Sequence, residues 1–297
     1  MKCLDNYEKV KNKIDNTDMS SVLFPYELDE WLNFTNETRS EKIRRICTFP
    51  LCNEDFTVVY SLYFRLKWLE AFRNCIHRKG ATVLEIGSGS SVNIPNALTI
   101  YDDTSKYVTA NMNKKLTQGL KQSTKSLPIA IDVIEDDAIN IQNYFASDSV
   151  DAIVFEHSVN DILQATLCEA RGMDTTNGDW FEILPEMINI INAEYASYSL
   201  EQLVKNHFLS LVENCISVLK PNGYLIMSHY MFQYDLDLGY NPELWENILP
   251  LVRPWINELP TGKEVMMDTF DPQWWIFFQK HDKTNNRVSI SPARAIL

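Results

Sequence analysis

The chain has no long apolar run, and this absence excludes one large class of proteins. None of its apolar runs approaches the about 20 residues that a membrane-spanning helix needs. The segment Met1–Glu8 also lacks the basic-then-apolar order of a secretory signal. Hydrophobic residues still make up 45% of the 297 residues, which is enough for a sizeable core. The sequence therefore predicts a globular, cytoplasmic protein with no membrane partner.

Positive charge is also scarce. The chain has 27 Lys and Arg against 40 Asp and Glu, which leaves a net charge of −13. Most affinity for nucleic acid comes from neutralising phosphates with basic side chains. The short basic cluster from Arg39 to Arg45 is expected on a solvated helix face. A nucleic-acid partner is therefore disfavoured, although a local patch in an acidic chain could still bind one.

Cysteine pairs are missing as well. The six cysteines are scattered, and no two of them form a C-x-x-C motif. Scattered cysteines in a protein without a secretory signal are expected to be reduced thiols. They also lack the ligand spacing of a zinc site, so no metal is predicted. The chain has no internal repeats.

One short segment, residues 83–97, has the pattern of a nucleotide cradle. An apolar strand carrying Glu85 leads into a turn with Gly87 and Gly89, and a helix start follows. Glycines permit a positive φ and a close approach of the backbone to a ligand, and a helix start directs free N–H groups toward it. A dinucleotide site would require a third glycine where Val92 stands, and an acid after the glycines rather than before them.

The order acid, Gly, x, Gly resembles the first motif of the class I S-adenosylmethionine (SAM)-dependent methyltransferases, E/D-x-G-x-G-x-G. Ser91 stands in place of the third glycine. Four later stretches match this family in the expected order. They are the second strand and its end at 107–116, the third motif at 131–139, the fourth strand at 149–157, and the L-K-P-N-G turn with the fifth strand at 218–227. The resemblance covers roughly residues 80–280.

The resemblance implies an α/β fold with a doubly wound, mostly parallel seven-stranded sheet. A helical N-terminal extension and a helical insertion after the fourth strand are added to it. The expected units are a helical cap at 1–54, a SAM-binding domain at 55–281 with an inserted substrate lid at 164–199, and a tail at 282–297. Residues 264–280 resemble the antiparallel sixth and seventh strands of the family.

The resemblance also implies SAM as the cofactor and assigns residues to it. Asn111 stands where an acid is expected to hold the ribose; its amide oxygen is a neutral and weaker acceptor. Asp137 is the candidate for the adenine amino group, with Asp136 as its rival. Tyr60 and Arg65 are candidates for the methionine carboxylate, the alternatives being a core tyrosine and a surface arginine. The other expected cofactor-binding residues are Glu85, Gly87, Ser88, Gly89, Ser91, Met112, Ala138 and Glu156.

A long insertion follows the fourth strand, where 43 residues separate Glu156 from the helix at 200–219. Long loops in compact domains are usually functional or disordered. The turn-rich segment from Arg171 to Trp180 is therefore interpreted as part of a substrate lid, with a simple surface excursion as the alternative. The expected acceptor-binding residues are Asp161, Trp180, Phe181, Met187 and Tyr230.

Two of the five histidines follow strands at the edge of the sheet where ligands bind. His157 follows the fourth strand and His229 ends the fifth. Histidine is the first candidate for a general base because its pKa lies near neutrality. Both are predicted to be catalytic, and the alternative for each is a purely structural role.

The sequence thus predicts methyl transfer from SAM to a small-molecule acceptor bound under a helical lid. Two alternatives stay open. One is a methyltransferase that acts on a protein or RNA, and the other is a non-catalytic SAM-binding regulatory module, which the motif departures at Ser91 and Asn111 keep open. Homodimer formation, the acceptor and the methylated atom are also left open.

Overall fold

The structure is a computed structural model that describes residues 5–51 and 58–282. Its strands are β1 Thr82–Ile86, β2 Lys106–Ala110, β3 Ala130–Ile134, β4 Val150–Glu156, β5 Leu219–Ser228, β6 Gly262–Glu264 and β7 Trp275–Lys280. Its first six helices are α1 Tyr7–Asp15, α2 Pro25–Asn33, α3 Asn36–Ile46, α4 Val58–Cys75, α5 Asn93–Tyr101 and α6 Lys114–Ser123. The later ones are α7 Val159–Glu169, α8 Trp180–Ala196, α9 Leu200–Val218, α10 Gln233–Asp237, α11 Pro242–Glu246 and α12 Ile248–Asn257.

The strands form one seven-stranded sheet in the order β3-β2-β1-β4-β5-β7-β6. Neighbours among β1 to β5 are parallel, whereas β7 runs antiparallel to both β5 and β6. The predicted fold class, a doubly wound and mostly parallel sheet, is confirmed. The chain reverses direction across the sheet between β1 and β4, and ligands of such sheets bind at the carboxyl ends of the strands at this point.

The sheet is buried on both sides, as parallel sheets with helical crossovers are. All seven residues of β4 are buried. Successive side chains of a strand point to opposite faces. Accordingly Val154 belongs to the hydrophobic cluster shared with α4 and α5, whereas Ile153 and Phe155 belong to the cluster shared with α7, α9 and α12.

The N-terminal helices share the first of these clusters. Val10 of α1 and Ile43 of α3 are buried in it together with Val59 of α4 and Val83 of β1. The predicted boundary between residues 54 and 55, and the predicted tail beyond Asp282, lie outside the described residues. No helix in the described ranges has the length and apolar composition to cross a bilayer.

Candidate functional site

A cleft of about 480 Å³ lies at the carboxyl edge of β1, β4 and β5. One end is formed by the turn after β1, and the other by α8, α10 and the loops around α11. Of the residues predicted from the sequence, the cleft is lined by Tyr60, Gly87, Ser88, Gly89, Ser91, Glu156, His157, Asp161, Trp180, Phe181 and Tyr230. These residues come from distant parts of the chain, and the sheet brings them together.

The turn after β1 requires its two glycines for different reasons. Gly87 has a φ of +69°, and a Cβ there would lie 3.1 Å from the Cβ of Ser158. Gly89 has a φ of +56°, and a Cβ there would meet only Leu116 Cδ1, at 3.7 Å. Packing therefore restricts Gly87, whereas beside Gly89 the backbone is open toward the cleft, as a ligand cradle requires.

Two polar side chains at the carboxyl end of β2, one in the strand and one directly after it, are hydrogen-bonded to this turn. Asn111 donates from Nδ2 to the carbonyl oxygen of Gly89 at 2.8 Å, and Thr109 Oγ1 donates to Ser88 Oγ at 2.9 Å. The residue that stands where the resemblance implied an acid therefore supports the glycine turn, and it does not belong to the cleft lining.

Glu85 lies beneath the turn rather than in the cleft lining. It is buried and accepts a hydrogen bond from the Tyr107 hydroxyl. Its burial, reinforced by the nearby Glu156 carboxylate, raises the pKa of Glu85 well above its usual value. The contact that the structure shows for this acid is internal support of the strand end.

Glu156 ends β4 and joins three elements. Its carboxylate accepts hydrogen bonds from Trp68 Nε1 at 2.9 Å, Ser91 Oγ at 2.9 Å and Asn93 Nδ2 at 3.0 Å. Burial raises the pKa of Glu156, while these three donors lower it. The side chain therefore fixes α4 and the glycine turn against the end of β4.

His157 has an unusual backbone and a defined tautomer. Its φ is +50°, in the left-handed region that non-glycine residues seldom occupy. Its Nδ1 accepts from the backbone N–H of Tyr230 at 3.3 Å, so in the neutral ring Nε2 carries the proton. Burial lowers the pKa of His157, which favours this neutral form. The ring therefore presents an N–H donor, not a basic nitrogen, as its remaining polar atom.

His229 does not line the cleft. It is buried, donates from Nε2 to the Trp245 carbonyl oxygen at 2.8 Å, and stacks on His157 with ring centroids 4.8 Å apart. Burial, and then the proximity of His157, lowers the pKa of His229 well below its usual value. Among the described residues it contacts His157 and Trp245 and does not belong to the cleft lining.

The described residues at the end of the cleft away from the glycine turn include two carboxylates. Asp161 is partly buried, and desolvation together with the nearby Asp235 raises its pKa to about 7. Asn160 Nδ2 donates to Asp161 Oδ1 at 2.7 Å, and the backbone N–H of Phe232 donates to Asp235 Oδ2 at 2.8 Å. The surrounding aromatic side chains are those of Trp180, Phe181, Tyr230, Phe232, Tyr234, Tyr240 and Trp245.

The insertion reaches this cleft through α8. Trp180 and Phe181 in its first turn line the cleft, whereas Met187, about two turns later, is fully buried in the core. The preceding loop is held by Asn113, whose Nδ2 donates to the carbonyl oxygens of Thr175 and Gly178 at 3.0 and 3.1 Å. The predicted lid segment thus contributes Trp180, Phe181 and Leu184 to the cleft lining, whereas Met187 packs in the core.

Several predicted cofactor residues lie away from the cleft lining. Arg65 is buried in an ion pair with Glu27 at 2.7 Å, because the N-terminal helices cover this side of α4. Asp137 Oδ1 caps the short 3₁₀ helix Ala138–Asn143 by accepting from Ile139 N at 2.9 Å. Met112 is half-buried after β2, and Ala138 lies in the core.

The sequence did not single out several residues that line the end of the cleft away from the glycine turn, namely Asn160, Phe232, Tyr234, Asp235, Tyr240 and Trp245. Most of them lie beyond β5, where no motif directed attention to them. The aromatic residues between Tyr230 and Trp245 were the available signal, because that segment directly follows a strand whose end borders the site.

Several solved structures have a similar arrangement of strands and helices. A SAM-dependent methyltransferase from Aquifex aeolicus is 14% identical, with a TM-score of 0.41 over 73% of this chain and 88% of that chain. The pyocyanin biosynthetic protein PhzM is 11% identical, with a TM-score of 0.45 over 76% and 58%. TrmN from Thermus thermophilus is 13% identical, with a TM-score of 0.39 over 74% and 48%.

No family model and no curated protein matches the chain. With identities of 11–14% and TM-scores below 0.5, these structural similarities assign neither a family nor an acceptor. The function is therefore inferred from the motifs and from the geometry of the cleft.

Proposed function

We propose that the protein is a class I methyltransferase that binds SAM and methylates a small molecule. The observation that carries this proposal is one continuous cleft, which joins the glycine turn after β1 to an aromatic end covered by α8. SAM would supply a methyl group on a sulfonium, whose sulfur leaves with the bonding electron pair. The chain must then bind, align and shield the acceptor, and alignment alone supplies much of the rate.

The glycine turn at the first end fits SAM, because the backbone beside Gly89 is open. Asn111 and Asp137 lie outside the lining, and each keeps one oxygen that is not used in the hydrogen bonds described above. Among the described residues of the lining there is no Lys or Arg. Backbone N–H groups of the turn and the Tyr60 hydroxyl are therefore the candidates to hold the methionine carboxylate.

The second end fits a small acceptor better than a macromolecule. It is lined by aromatic side chains under α8, and its charged groups are the carboxylates of Asp161 and Asp235. A phosphate backbone would be repelled by these groups and by the net charge of −13. A small ligand instead would be shielded from water by the lid.

The proton chemistry differs from the expectation based on histidine. Neutral His157 presents Nε2–H, so its role is to donate a hydrogen bond and orient the acceptor. Asp161, with its pKa raised to about 7 by desolvation, is the group suited to accept a proton near neutral pH. His229 acts as a positioning residue behind His157.

Methyl transfer from radiolabelled SAM into a size-fractionated cell extract tests this proposal. We expect label in the low-molecular-weight fraction, and none with the Gly89→Val variant, whose branched side chain would enter the cradle at a positive φ. Label confined to the protein or RNA fraction would contradict the small-molecule assignment. If the protein binds SAM but no fraction is labelled, a non-catalytic SAM-binding module is supported instead.

A further inference from the structure

We propose that the acceptor end of the cleft recognises an organic amine in its protonated, ammonium form, one that also carries an apolar or aromatic group. This inference rests on the proposed function for the assignment of this end to the acceptor. It specifies the chemical class of the acceptor, which neither the motifs nor the comparisons with known proteins supply.

The charges of the cleft are all of one sign. The ionisable acids of its lining are Glu156, Asp161 and Asp235, and no basic side chain stands among its described lining residues apart from His157. Because burial lowers the pKa of His157, that ring adds no positive charge near neutral pH. Glu156 already accepts three hydrogen bonds at the glycine turn, so Asp161 and Asp235 are the carboxylates left for a ligand at the acceptor end.

Aromatic rings line the cleft together with these two carboxylates. Tyr240 and Trp245 stack with centroids 3.6 Å apart, and Phe232 meets His157 edge-on at 5.4 Å. Trp180 closes the same space from α8. A cation over the face of an aromatic ring is attracted by the quadrupole of the ring. Carboxylates within an aromatic enclosure are the combination that binds ammonium groups.

Unpaired polar atoms give independent evidence for a ligand. Trp245 is 1% exposed and Asn160 is 2% exposed, and both line the cleft. Trp245 Nε1 and Asn160 Oδ1 are buried without a hydrogen-bond partner. Buried polar groups are nearly always paired. Asn160 Oδ1 can accept from an ammonium N–H, while Trp245 Nε1–H can donate to an oxygen elsewhere on the ligand.

The same arrangement allows the amine to become a nucleophile. An ammonium nitrogen has no lone pair, so one N–H bond must break before it can react. Its proton would pass to the Asp161 carboxylate, and the electron pair of that bond would remain on nitrogen. Asp235 is the charged neighbour that helps to keep the Asp161 pKa near neutrality, and the Asn160 amide holds the Asp161 carboxylate in place at 2.7 Å.

Calorimetric titration with three matched probes tests the proposal without requiring turnover. The probes are 2-phenylethylamine, its neutral analogue 2-phenylethanol and the anion phenylacetate. Each is added to protein saturated with S-adenosylhomocysteine. The titrations are done at about pH 8, where most of Asp161 is ionised. We expect the amine to bind at least about tenfold more tightly than the alcohol, and the anion to bind least.

Variants then assign the preference to the two carboxylates. Asp161→Asn and Asp235→Asn should each lower amine affinity by about tenfold and leave alcohol affinity unchanged. Asp237→Asn is the matched control, because Asp237 lies on the same short helix α10 but is exposed and bonded to Gln233 outside the cleft. Circular dichroism and unchanged affinity for S-adenosylhomocysteine would show that the variants are folded.

The outcomes separate the two proposals. If the protein binds S-adenosylhomocysteine but binds the amine no more tightly than the alcohol, the amine proposal alone is overturned. The same holds if no probe binds at millimolar concentration. A preference that persists in both carboxylate variants would also overturn it. Absence of S-adenosylhomocysteine binding in the folded wild-type protein would instead overturn the proposed function.

Discussion

Replacing Asn113 by Asp should release the loop that precedes α8 while sparing the helix that Asn113 caps. Asn113 Oδ1 accepts from Leu116 N at 3.1 Å and caps α6, and a carboxylate oxygen can do the same. The Nδ2 donor, however, holds the carbonyl oxygens of Thr175 and Gly178. An aspartate has no donor for them and would place negative charge against two carbonyl groups.

The magnitude follows from those two hydrogen bonds. Each contributes about 0.5–1.5 kcal/mol, and a buried carbonyl left unpaired costs more. Thr175 is only 1% exposed, so its carbonyl has little access to water. We expect the loop from 170 to 179 to lose about 2–3 kcal/mol of stability against local opening. Amide protection there should therefore fall about 30- to 150-fold.

Hydrogen exchange measured by mass spectrometry checks this expectation, with Lys115→Gln as the matched control. Lys115 spans the same contact through an exposed ion pair with Asp179 at 3.1 Å, which is worth at most about 1 kcal/mol. The backbone bond from Lys114 N to the Thr176 carbonyl remains in both variants. Equal protection of the loop in the two variants would refute the assignment of Asn113 as the residue that holds the lid.

Three further predictions concern the cofactor end and the acid at the acceptor end. Asn111→Asp should weaken binding of S-adenosylhomocysteine about tenfold in calorimetric titrations. The donor to the Gly89 carbonyl is lost, and a carboxylate would face that oxygen. Tighter binding would contradict the role of Asn111 in holding the glycine turn. Gly87→Ala should lower the unfolding free energy by about 1–3 kcal/mol in urea titrations, since its φ is +69° and its Cβ would lie 3.1 Å from Ser158 Cβ. Desolvation raises the pKa of Asp161 to about 7 in the folded state, so the native protein holds a proton there that the unfolded chain releases near pH 4. The free energy of unfolding should therefore fall as pH rises from about 4 to about 7. Asp161→Asn should flatten this decline, and an identical pH profile in the variant would show that Asp161 does not cause it.

The strands and the cradle could be predicted from the sequence because their signals are local. Apolar runs such as Val83–Ile86 predict strands, and the glycines that follow predict a turn with positive φ. The order of the strands and the antiparallel direction of β7 were instead implied by the resemblance of five such segments to the methyltransferase family.

The misplaced residues depend on contacts that no local pattern encodes. Arg65 was expected near the cofactor, but the N-terminal helices bring Glu27 against it. His157 and His229 lie at the ends of neighbouring strands, and only the tertiary structure shows that His229 is buried behind His157. Asp235 belongs to a short helix after β5, far in sequence from Asp161, so their proximity could not be inferred from spacing.

Calorimetric titration of SAM and S-adenosylhomocysteine into the wild-type protein and the Gly89→Val variant tests the central claim most directly. The structure predicts that one molecule of either compound binds the wild-type chain and that the folded variant binds neither, because the open backbone beside Gly89 is filled. A wild-type protein that binds neither compound, or a folded variant that binds both as well as the wild type does, would contradict the assignment of this cleft as a SAM site.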